Sequence, residues 1–377
     1  MKVLIVSGIW PPDVGGPASH APELAAFLLG RGHAVEVVTT ADTAPAQQAY
    51  DVRWVDRAAP AGLRHVRVAA RIRERATHND VVYATSMLGR ATLGSALARR
   101  SIVVKLVADE AYERARRWGL FDGDLDAFQR FPGGLRIKLL RQARDRALRR
   151  VSQLVCPSRY LAALAVGWGV PEERVTVLPN AAPPLPSLPD RDEARARLGV
   201  DGPMLAFAGR ITKQKSLGVA LAALADVEDV SLLIAGDGPD LPVVRRRVAE
   251  LGLDGRVRFL GALVRDEVLT LLRAADALLL TSSWENFPHT VVEALAVGTP
   301  VIASSVGGVP ELVHDGENGL LVPPGDVGEL VGAIRRVIDE PALRERLAAG
   351  AAPSVEHLQP EMVYSRLEEI LRKAAAR

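Results

Sequence analysis

Two carboxylates and two basic side chains follow apolar runs in the second half of the sequence. Glu285 and Glu293 lie in SSWENFPHTVVEALA with seven residues between them, and Arg210 and Lys215 follow the run MLAFA. An arginine that binds two oxygens and a lysine that acts as a point charge can neutralise a diphosphate without a metal ion. A carboxylate that accepts from two vicinal hydroxyls suits a ribose or a sugar ring. For the basic pair, two solvated surface charges are the alternative.

Short apolar runs alternate with helix-like segments along the chain, a pattern typical of a parallel sheet covered by helices on both faces. The strands predicted in the first half are Val3–Ser7, Ala34–Thr39, Val81–Thr85, Ile102–Ala108, Gln153–Pro157 and Val175–Pro179. Those predicted in the second half are Met204–Ala208, Ser231–Ala235, Val257–Leu260, Ala277–Thr281, Pro300–Ala303 and Leu320–Val322. Open α/β sheets bind ligands at the carboxyl ends of their strands, so a site is expected in the loops that follow these runs.

Glycine turns occupy several of these strand exits. The pair Gly15-Gly16 separates the first strand from a helix, so bare backbone N–H groups and the positive helix end can approach an anion. The pair Gly307-Gly308 precedes a helix expected to open at Pro310 and predicts a second site of this kind. In GDGP, Asp237 and Gly238 form a tight turn after another strand. Ordinary turns explain the glycine pairs equally well when each is taken alone.

The two glutamates belong to different parts of one strand exit. Helix-like residues begin near Pro288, so Glu285 falls in the loop and Glu293 nearly two turns into the helix. Thr290 and Glu293 lie on adjoining parts of one helix face and can turn toward the same ligand. A nucleotide base could lie against the chain near Phe259, in VRFLG. Together the strand exits offer what a nucleotide diphosphate-sugar requires.

Length and composition indicate a two-domain globular protein. The chain has 377 residues, 48% of them apolar and 24% charged, with a formal net charge of +2. A proline-rich stretch from Pro179 to Pro189 reads as a linker, and we predict domains over 1–185 and 186–355 with a closing helix over 356–377. The single cysteine, Cys156, excludes an internal disulfide and a cysteine-cluster zinc site. The opening run KVLIVSGIW reads as a buried strand rather than a signal peptide, so a cytoplasmic protein is expected.

The segment Arg130–Arg150 carries eight basic side chains against one Asp145. Contact with anionic lipid head groups, at the inner face of the cell membrane, is one interpretation. A solvated arginine-rich face is the other, because the leucines of the segment could equally face the core. Aromatic residues are not interleaved with the basic ones and no basic recognition motif accompanies the run, so nucleic acid is not expected as a partner.

These motifs resemble those of the retaining family-4 glycosyltransferases, the group 1 glycosyl transferases of the GT-B fold. The similar stretches are PPDVGGPASH, GR with Lys215 five residues on, GDGP, VRFLG, ENFPHTVVEALAVGTPVIAS, and GGVPELV followed by GENGLLVPPGD. The resemblance covers nearly the whole chain. It implies two Rossmann-like α/β domains that face each other across a cleft, the first for the acceptor and the second for the donor, with a C-terminal helix that crosses back to the first.

The resemblance also implies roles for particular residues. Arg210 and Lys215 would hold the donor diphosphate, Glu293 the nucleotide ribose, and Glu285 the transferred sugar. The stretch Asn286, Phe287, His289 and Thr290 would contact the sugar or phosphate, with Asp237, Gly238 and Phe259 nearby, and Gly15 and Gly16 would touch the diphosphate from the first domain.

The sequence departs from the family pattern at three places. Many members carry a histidine near the sugar where VVKLVADEAYERA has Ala108, so Asp109 is the candidate for orienting the sugar or acceptor. Capping of the following helix is the alternative for Asp109. The hinge reads PNAAP, so Asn180 lacks the usual glycine partner, and Asn286 stands where a glycine is common.

The predicted reaction is hexosyl transfer from a nucleotide diphosphate-sugar to an acceptor hydroxyl with retention, by front-face departure and without a metal or other bound cofactor. The acceptor class is expected to be a cell-envelope glycan or glycolipid, or a natural-product aglycone. A nucleotide-sugar epimerase of the same fold and a non-catalytic nucleotide-sugar-binding protein are the alternatives. A dinucleotide-dependent oxidoreductase is disfavoured because GIWPPDVGG lacks the G-x-G-x-x-G fingerprint. The acidic stretch Asp122–Asp126 is not followed by the glycine at position 6 or the glutamate at position 12 of a calcium-binding loop.

Overall fold

The computed structural model describes residues 1–13 and 16–376. The chain divides into two units, one formed by Met1–Pro179 with the closing segment from Glu361, the other by Asn180–Pro360. Within the described residues, each unit is built on one parallel sheet with helices between successive strands. The α/β class predicted from the alternating pattern and the Rossmann-like domains implied by the resemblance are therefore confirmed.

The first unit has a seven-stranded sheet within the described residues, in the order β3-β2-β1-β4-β5-β6-β7. Its strands are β1 (Lys2–Ser7), β2 (Ala34–Ala41), β3 (Asp51–Asp56), β4 (Val81–Ala84), β5 (Ile102–Lys105), β6 (Gln153–Cys156) and β7 (Val175–Val177). Its helices up to the linker are α1 (Gly16–Gly30), α2 (Ala61–Ala76), α3 (Leu88–Leu97), α4 (Glu110–Arg117), α5 (Leu125–Arg130), α6 (Leu135–Leu148) and α7 (Arg159–Gly167).

The second unit has a six-stranded sheet in its described residues, in the order β10-β9-β8-β11-β12-β13. Its helices are α8 (Arg191–Leu198), α9 (Leu217–Ala225), α10 (Leu241–Glu250), α11 (Arg265–Ala274), α12 (His289–Ala296), α13 (Val327–Asp339) and α14 (Pro341–Ser354). Its strands are β8 (Met204–Ala208), β9 (Ser231–Ala235), β10 (Val257–Gly261), β11 (Ala277–Leu280), β12 (Val301–Ser304) and β13 (Gly319–Val322).

The central strands β8 and β11 of the second sheet are buried on both faces because they are apolar at every position. In β8, Ala206 and Ala208 pack into one cluster, while Leu205 and Phe207 pack into another on the opposite face. Consecutive side chains of a strand point to opposite faces, so a continuous apolar run fits this sheet and an alternating one does not.

The closing helix α15 (Pro360–Ala375) packs on the first unit, as the resemblance implied. Its Glu368 is buried and accepts from His33 at 2.8 Å, and the hydroxyl of Tyr364 donates to Glu23 at 2.8 Å. Burial by itself would raise the pKa of Glu368, but the hydrogen bonds from His33 and Arg372 outweigh it and lower this pKa to about 2. A charge-assisted contact of this kind fixes which helix face docks.

Two sequence expectations differ from the structure. The edge strand β3 is absent from the sequence prediction, because charged residues occupy three of the six positions of DVRWVD and interrupt its apolar residues. The helix expected at Pro310 is only a one-turn 3₁₀ helix, Val309–Glu311. The amide of Asn318 donates to Leu312 O at 2.9 Å and accepts from His314 N at 2.7 Å, so these backbone groups are satisfied outside a helix. One turn has no appreciable macrodipole, which weakens the second predicted anion site.

Candidate functional site

The predicted site residues of the second unit gather at the point where its strand order reverses. Strands β8 and β11 are neighbours in the sheet, and the chain leaves them in opposite directions along it. In doubly wound α/β sheets, ligands bind at the carboxyl ends of the strands at this switch point. Arg210 and Lys215 belong to the exit of β8, and Glu285 belongs to the exit of β11.

These two exit loops are tied together by hydrogen bonds. Ser283 N donates to Gln214 O at 2.8 Å, and Gln214 Nε2 donates to Trp284 O at 2.6 Å. The hydroxyl of Thr281 donates to Lys215 O at 3.1 Å. Because each loop both donates hydrogen bonds to the other and accepts them from it, the two loops form one preorganised edge of the site.

Lys215 and Glu285 form an ion pair at the centre of this edge. Lys215 Nζ lies 2.5 Å from Glu285 Oε1, and both side chains are mostly buried. The hydroxyl of Ser282 donates to the same oxygen at 2.6 Å. The carboxylate therefore accepts from two donors. An incoming anion would meet an ion pair in which the charge of Lys215 is balanced by that of Glu285.

Arg210 is placed differently from Lys215. Its side chain is exposed and makes no hydrogen bond or ion pair with any other residue in 1–13 or 16–376. It follows Gly209, whose φ of +152° suits glycine. Arg210 therefore brings an uncompensated positive charge with all its guanidinium donors to the end of β8.

The predicted glycine turn after β9 is required by close backbone packing. A Cβ on Gly238 would lie 2.1 Å from Ile211 O, and one on Gly236 would lie 1.9 Å from Gly209 O. Ile211 N donates to Asp237 O at 2.9 Å. The exits of β8 and β9 are thus in direct contact, which brings the exposed Asp237 and its turn next to the loop of Arg210.

Helix α12 carries Glu293, whose side chain is mostly buried. Glu293 Oε1 lies 3.8 Å from Arg265 Nε at the start of α11. The hydroxyl of Thr290 donates to Ala208 O at 3.1 Å, which fixes the first turn of α12 to the end of β8. Thr290 therefore positions the helix that presents Glu293.

The stretch between the two glutamates is packed into the second unit. Phe287 is part of the core, and its carbonyl accepts from Asn180 Nδ2 at 3.3 Å. The same nitrogen lies 3.3 Å from His289 Nε2. Asn286 is buried too. Phe259, predicted near a nucleotide base, is partly buried under the guanidinium of Arg245, 4.5 Å from its ring centroid.

In the first unit, Gly16 opens α1, and Gly15 lies outside the described residues. Asp109 is fully buried and caps α4 by accepting from Ala111 N at 2.8 Å. Its second oxygen accepts from Arg144 Nη1 at 2.6 Å and from Gln129 Nε2 at 3.2 Å. Since these donors occupy both oxygens, the structure corresponds to the capping alternative and leaves Asp109 no exposed carboxylate for a substrate.

The basic segment is helical but only partly solvated. Arg144 is buried with Asp109, and Arg141 donates to the carbonyls of Phe128 and Phe131. Leu135 and Leu139, one helical turn apart on α6, are exposed by 73% and 53%. The segment therefore combines structural arginines with an exposed apolar strip.

The first unit also contains a buried polar cluster that the sequence does not predict. Lys105, at the end of β5, is buried with its Nζ 3.4 Å from His20 Nδ1, and His20 Nε2 lies 2.8 Å from the Tyr83 hydroxyl. Burial lowers the pKa of Lys105 to about 7, although the charge of Glu23 opposes the shift. In the sequence, the cluster is marked only by a lysine at the end of the otherwise apolar strand IVVK.

The described residues hold neither a metal-binding cluster nor a membrane-spanning helix. No three His, Cys, Asp or Glu side chains in 1–13 and 16–376 come together in a way that could hold a metal ion. Over the same residues, no helix is both long enough and apolar enough to cross a membrane.

The fold and the switch-point site define a two-unit α/β protein of the kind that binds nucleotides at strand ends. The family described as "Glycosyl transferases group 1" matches residues 190–352, and "Glycosyl transferase 4-like domain" matches residues 15–181. The chain belongs to the family-4, group 1 glycosyltransferases.

Curated relatives match over part of their length. A 2-deoxystreptamine glucosyltransferase of Streptomyces kanamyceticus is 35% identical over 212 residues, 52% of this chain and 54% of its own. A D-inositol 3-phosphate glycosyltransferase of a Nocardioides species is 37% identical over 208 residues, 50% of this chain and 45% of its own. The chain thus spans about half the length of these relatives.

Solved structures match over the whole fold. Anabaena Alr3699/HepE, in complex with UDP-glucose, has a TM-score of 0.81 at 23% identity and covers 99% of this chain and 100% of its own. Sucrose-phosphate synthase from Thermosynechococcus elongatus has a TM-score of 0.82 at 22% identity, with 100% and 99% covered. At these identities the likeness establishes the GT-B type of fold.

Proposed function

We propose that this chain is a retaining, metal-independent hexosyltransferase that moves a sugar from a nucleotide diphosphate-sugar to an acceptor hydroxyl. The observation that carries the proposal is the convergence of Arg210, Lys215 and Glu285 at the β8/β11 switch point. HepE was solved with UDP-glucose, which makes that compound the first donor to test.

The barrier of this reaction lies in breaking the bond between the anomeric carbon and the diphosphate oxygen. The electron pair of that bond leaves with the nucleoside diphosphate, so preorganised positive charge should contribute most of the catalysis. Arg210 and Lys215 supply this charge, Glu285 orients the sugar, and Glu293 accepts from the ribose hydroxyls. The acceptor oxygen attacks from the face that the diphosphate leaves, and its proton passes to a diphosphate oxygen.

The ion pair between Lys215 and Glu285 gives this proposal a sharp test. Lys215→Ala removes a cation and also leaves the Glu285 charge facing the diphosphate, whereas Lys215→Ala combined with Glu285→Gln removes both charges. We therefore expect the single variant to lose about 10²-fold or more in turnover. The double variant should bind the donor more tightly than the single one.

Lys213→Ala is the matched control, because Lys213 lies on the same 3₁₀ turn without a proposed role. Turnover is measured with UDP-glucose and an acceptor, and donor affinity by calorimetry. If Lys215→Ala and Arg210→Ala both transfer sugar at the rate of the control, the diphosphate assignment is wrong. A sugar epimerised without an acceptor would instead favour the epimerase, and donor binding without turnover would favour a non-catalytic binding protein.

The first acceptors to screen follow from the names of the relatives. 2-Deoxystreptamine and inositol 3-phosphate are both polyhydroxylated cyclohexanes, named for relatives that match about half of this chain. We propose a cyclitol or a related glycoside as acceptor, ahead of a lipid-linked glycan. Mass spectrometry of the products identifies both the sugar and the acceptor.

We further propose that α6 contacts an anionic membrane surface. The observation that favours this contact is the exposed pair Leu135 and Leu139, which lies beside the exposed bases Arg136 and Lys138. Leu135→Ser with Leu139→Ser should weaken binding to vesicles that contain phosphatidylserine. Arg144 is left intact because it is buried. Unchanged sedimentation with the vesicles would refute the contact.

A further inference from the structure

The second unit has a cavity at the end of its sheet opposite to the switch-point site. Its volume is about 270 Å³, and its wall includes Asp276, directly before β11, and Pro300, directly before β12. Glu285 and its partners follow the carboxyl end of β11. The four residues of that strand separate the two places by roughly 13 Å. The cavity is therefore distinct from the proposed donor site.

Positive charge dominates the surroundings of this cavity. The buried carboxylate of Asp276 is approached by Arg191 at 2.6 Å, Arg195 at 3.6 Å and Arg344 at 3.6 Å. Asp276 also accepts from Met204 N at 2.8 Å. One carboxylate thus faces three guanidinium groups, which leaves a local excess of two positive charges.

A fourth arginine lines the same cavity. Arg273 donates to Val297 O through Nη1 at 2.8 Å, and Arg344 uses Nη1 on the carbonyls of Val337 and Ile338. Each guanidinium has five N–H donors, so these contacts leave donors on the three arginines that border the cavity.

We propose that this cavity binds a small phosphate-bearing anion. The planar donor forks of arginine match the oxygens of a phosphate, and convergent arginines are the usual protein device for holding one. The volume accommodates a phosphate monoester or a diphosphate more closely than a whole nucleotide-sugar. The anion balances the positive charge of the arginines that Asp276 does not balance. It contacts arginines of α8, α11 and α14 near the amino ends of the strands.

The test uses the full chain in an Arg210→Ala background, which weakens the response of the proposed donor site. Inorganic phosphate and pyrophosphate are titrated at constant ionic strength against chloride, with thermal stabilisation and calorimetry as readouts. Arg273→Gln should raise the dissociation constant at least tenfold. Arg246→Gln, on the exposed face of α10, is the matched control and should leave it unchanged.

Two further variants separate binding from folding. Ala348→Glu keeps every arginine and adds a negative charge to the cavity wall, so it should also weaken binding. Asp276→Asn removes the competing carboxylate, so it should tighten anion binding while it lowers the melting temperature. If the arginine cluster were purely structural, each variant would lower the stability of the protein, and anion affinity would not rise in Asp276→Asn and fall in Ala348→Glu. Equal stabilisation by phosphate in the control, Arg273→Gln and Ala348→Glu, or none in the Arg210→Ala parent, would overturn the proposal.

Discussion

Lys105→Met should stabilise the protein, although it removes a hydrogen-bonded side chain. Lys105 is buried at the end of β5, and its nearest polar neighbour is His20 at 3.4 Å. His20 in turn contacts Tyr83, whose pKa burial raises, and the charge of Glu23 acts on Lys105 without a hydrogen bond to it. A buried ammonium with so little compensation costs free energy in the folded state.

The magnitude follows from the pKa. Burial lowers the pKa of Lys105 from 10.5 to about 7, a difference that corresponds to about 5 kcal/mol. Below pH 7 the lysine is protonated in both states, so the full cost is present. Between pH 7 and 10.5 the unfolded chain binds a proton that the folded chain has lost, so stability rises with pH. Above that range the cost is gone.

Methionine has a similar length and no charge, so the variant should gain up to about 5 kcal/mol at pH 6, less the lost contact to His20. The rise in stability from pH 7 to 9 should also flatten. Urea unfolding followed by tryptophan fluorescence is a suitable assay, because four of the five tryptophans lie in the first unit. Lys138→Met, at an exposed position, is the control.

A Lys105→Met variant that is less stable than the parent at pH 6 would refute this reasoning. An unchanged slope between pH 7 and 9 would refute it as well, since that slope depends on the proton that Lys105 loses on folding.

Three other changes test separate parts of the structure. Glu368→Gln should destabilise the protein by about a few kcal/mol at pH 7, because the lowered pKa keeps Glu368 charged beside His33 in the folded state. The destabilisation should shrink as pH falls from 4.5 toward 2, and urea unfolding at several pH values measures it. Gly238→Ala should lower both the melting temperature and donor affinity, since its Cβ would meet Ile211 O, and wild-type values for both would contradict the required close packing. Glu293→Ala should weaken binding of UDP about tenfold but that of 2′-deoxy-UDP much less, and calorimetry with equal losses for the two would count against a ribose contact.

The buried strands were predictable because their pattern is unambiguous. Runs such as MLAFA and ALLL are short, and helix-like segments follow them, which favours strands covered on both faces; their predicted bounds agree with β8 and β11 to within one residue. The site followed from this framework, since residues after parallel strands must gather at one edge of the sheet. The prediction of Arg210, Lys215 and Glu285 as neighbouring strand-exit residues needed no side-chain geometry.

Features that depend on long-range partners were not predictable in the same way. Nothing local to Asp109 indicates that Arg144 and Gln129 occupy its second oxygen from 35 and 20 residues away. The lysine at the end of IVVK could have been a solvated strand end, and only the tertiary structure buries it beside His20 of α1. Partners of charged groups are set by tertiary packing, which sequence spacing does not contain.

The charge balance of the switch-point site shows that its two basic residues are not equivalent. Glu285 lies against Lys215 and Glu293 lies near Arg265, so these charges cancel in pairs. Arg210 is exposed and forms no ion pair within residues 1–13 and 16–376, and its field therefore extends into solvent. The attraction of an anionic donor from solution should then depend mainly on Arg210 and weaken with added salt. Lys215 acts only at contact, where the diphosphate must share it with Glu285. Under the proposed function, the pair that from sequence resembles a symmetric clamp would therefore consist of one residue that attracts the donor and one that holds it.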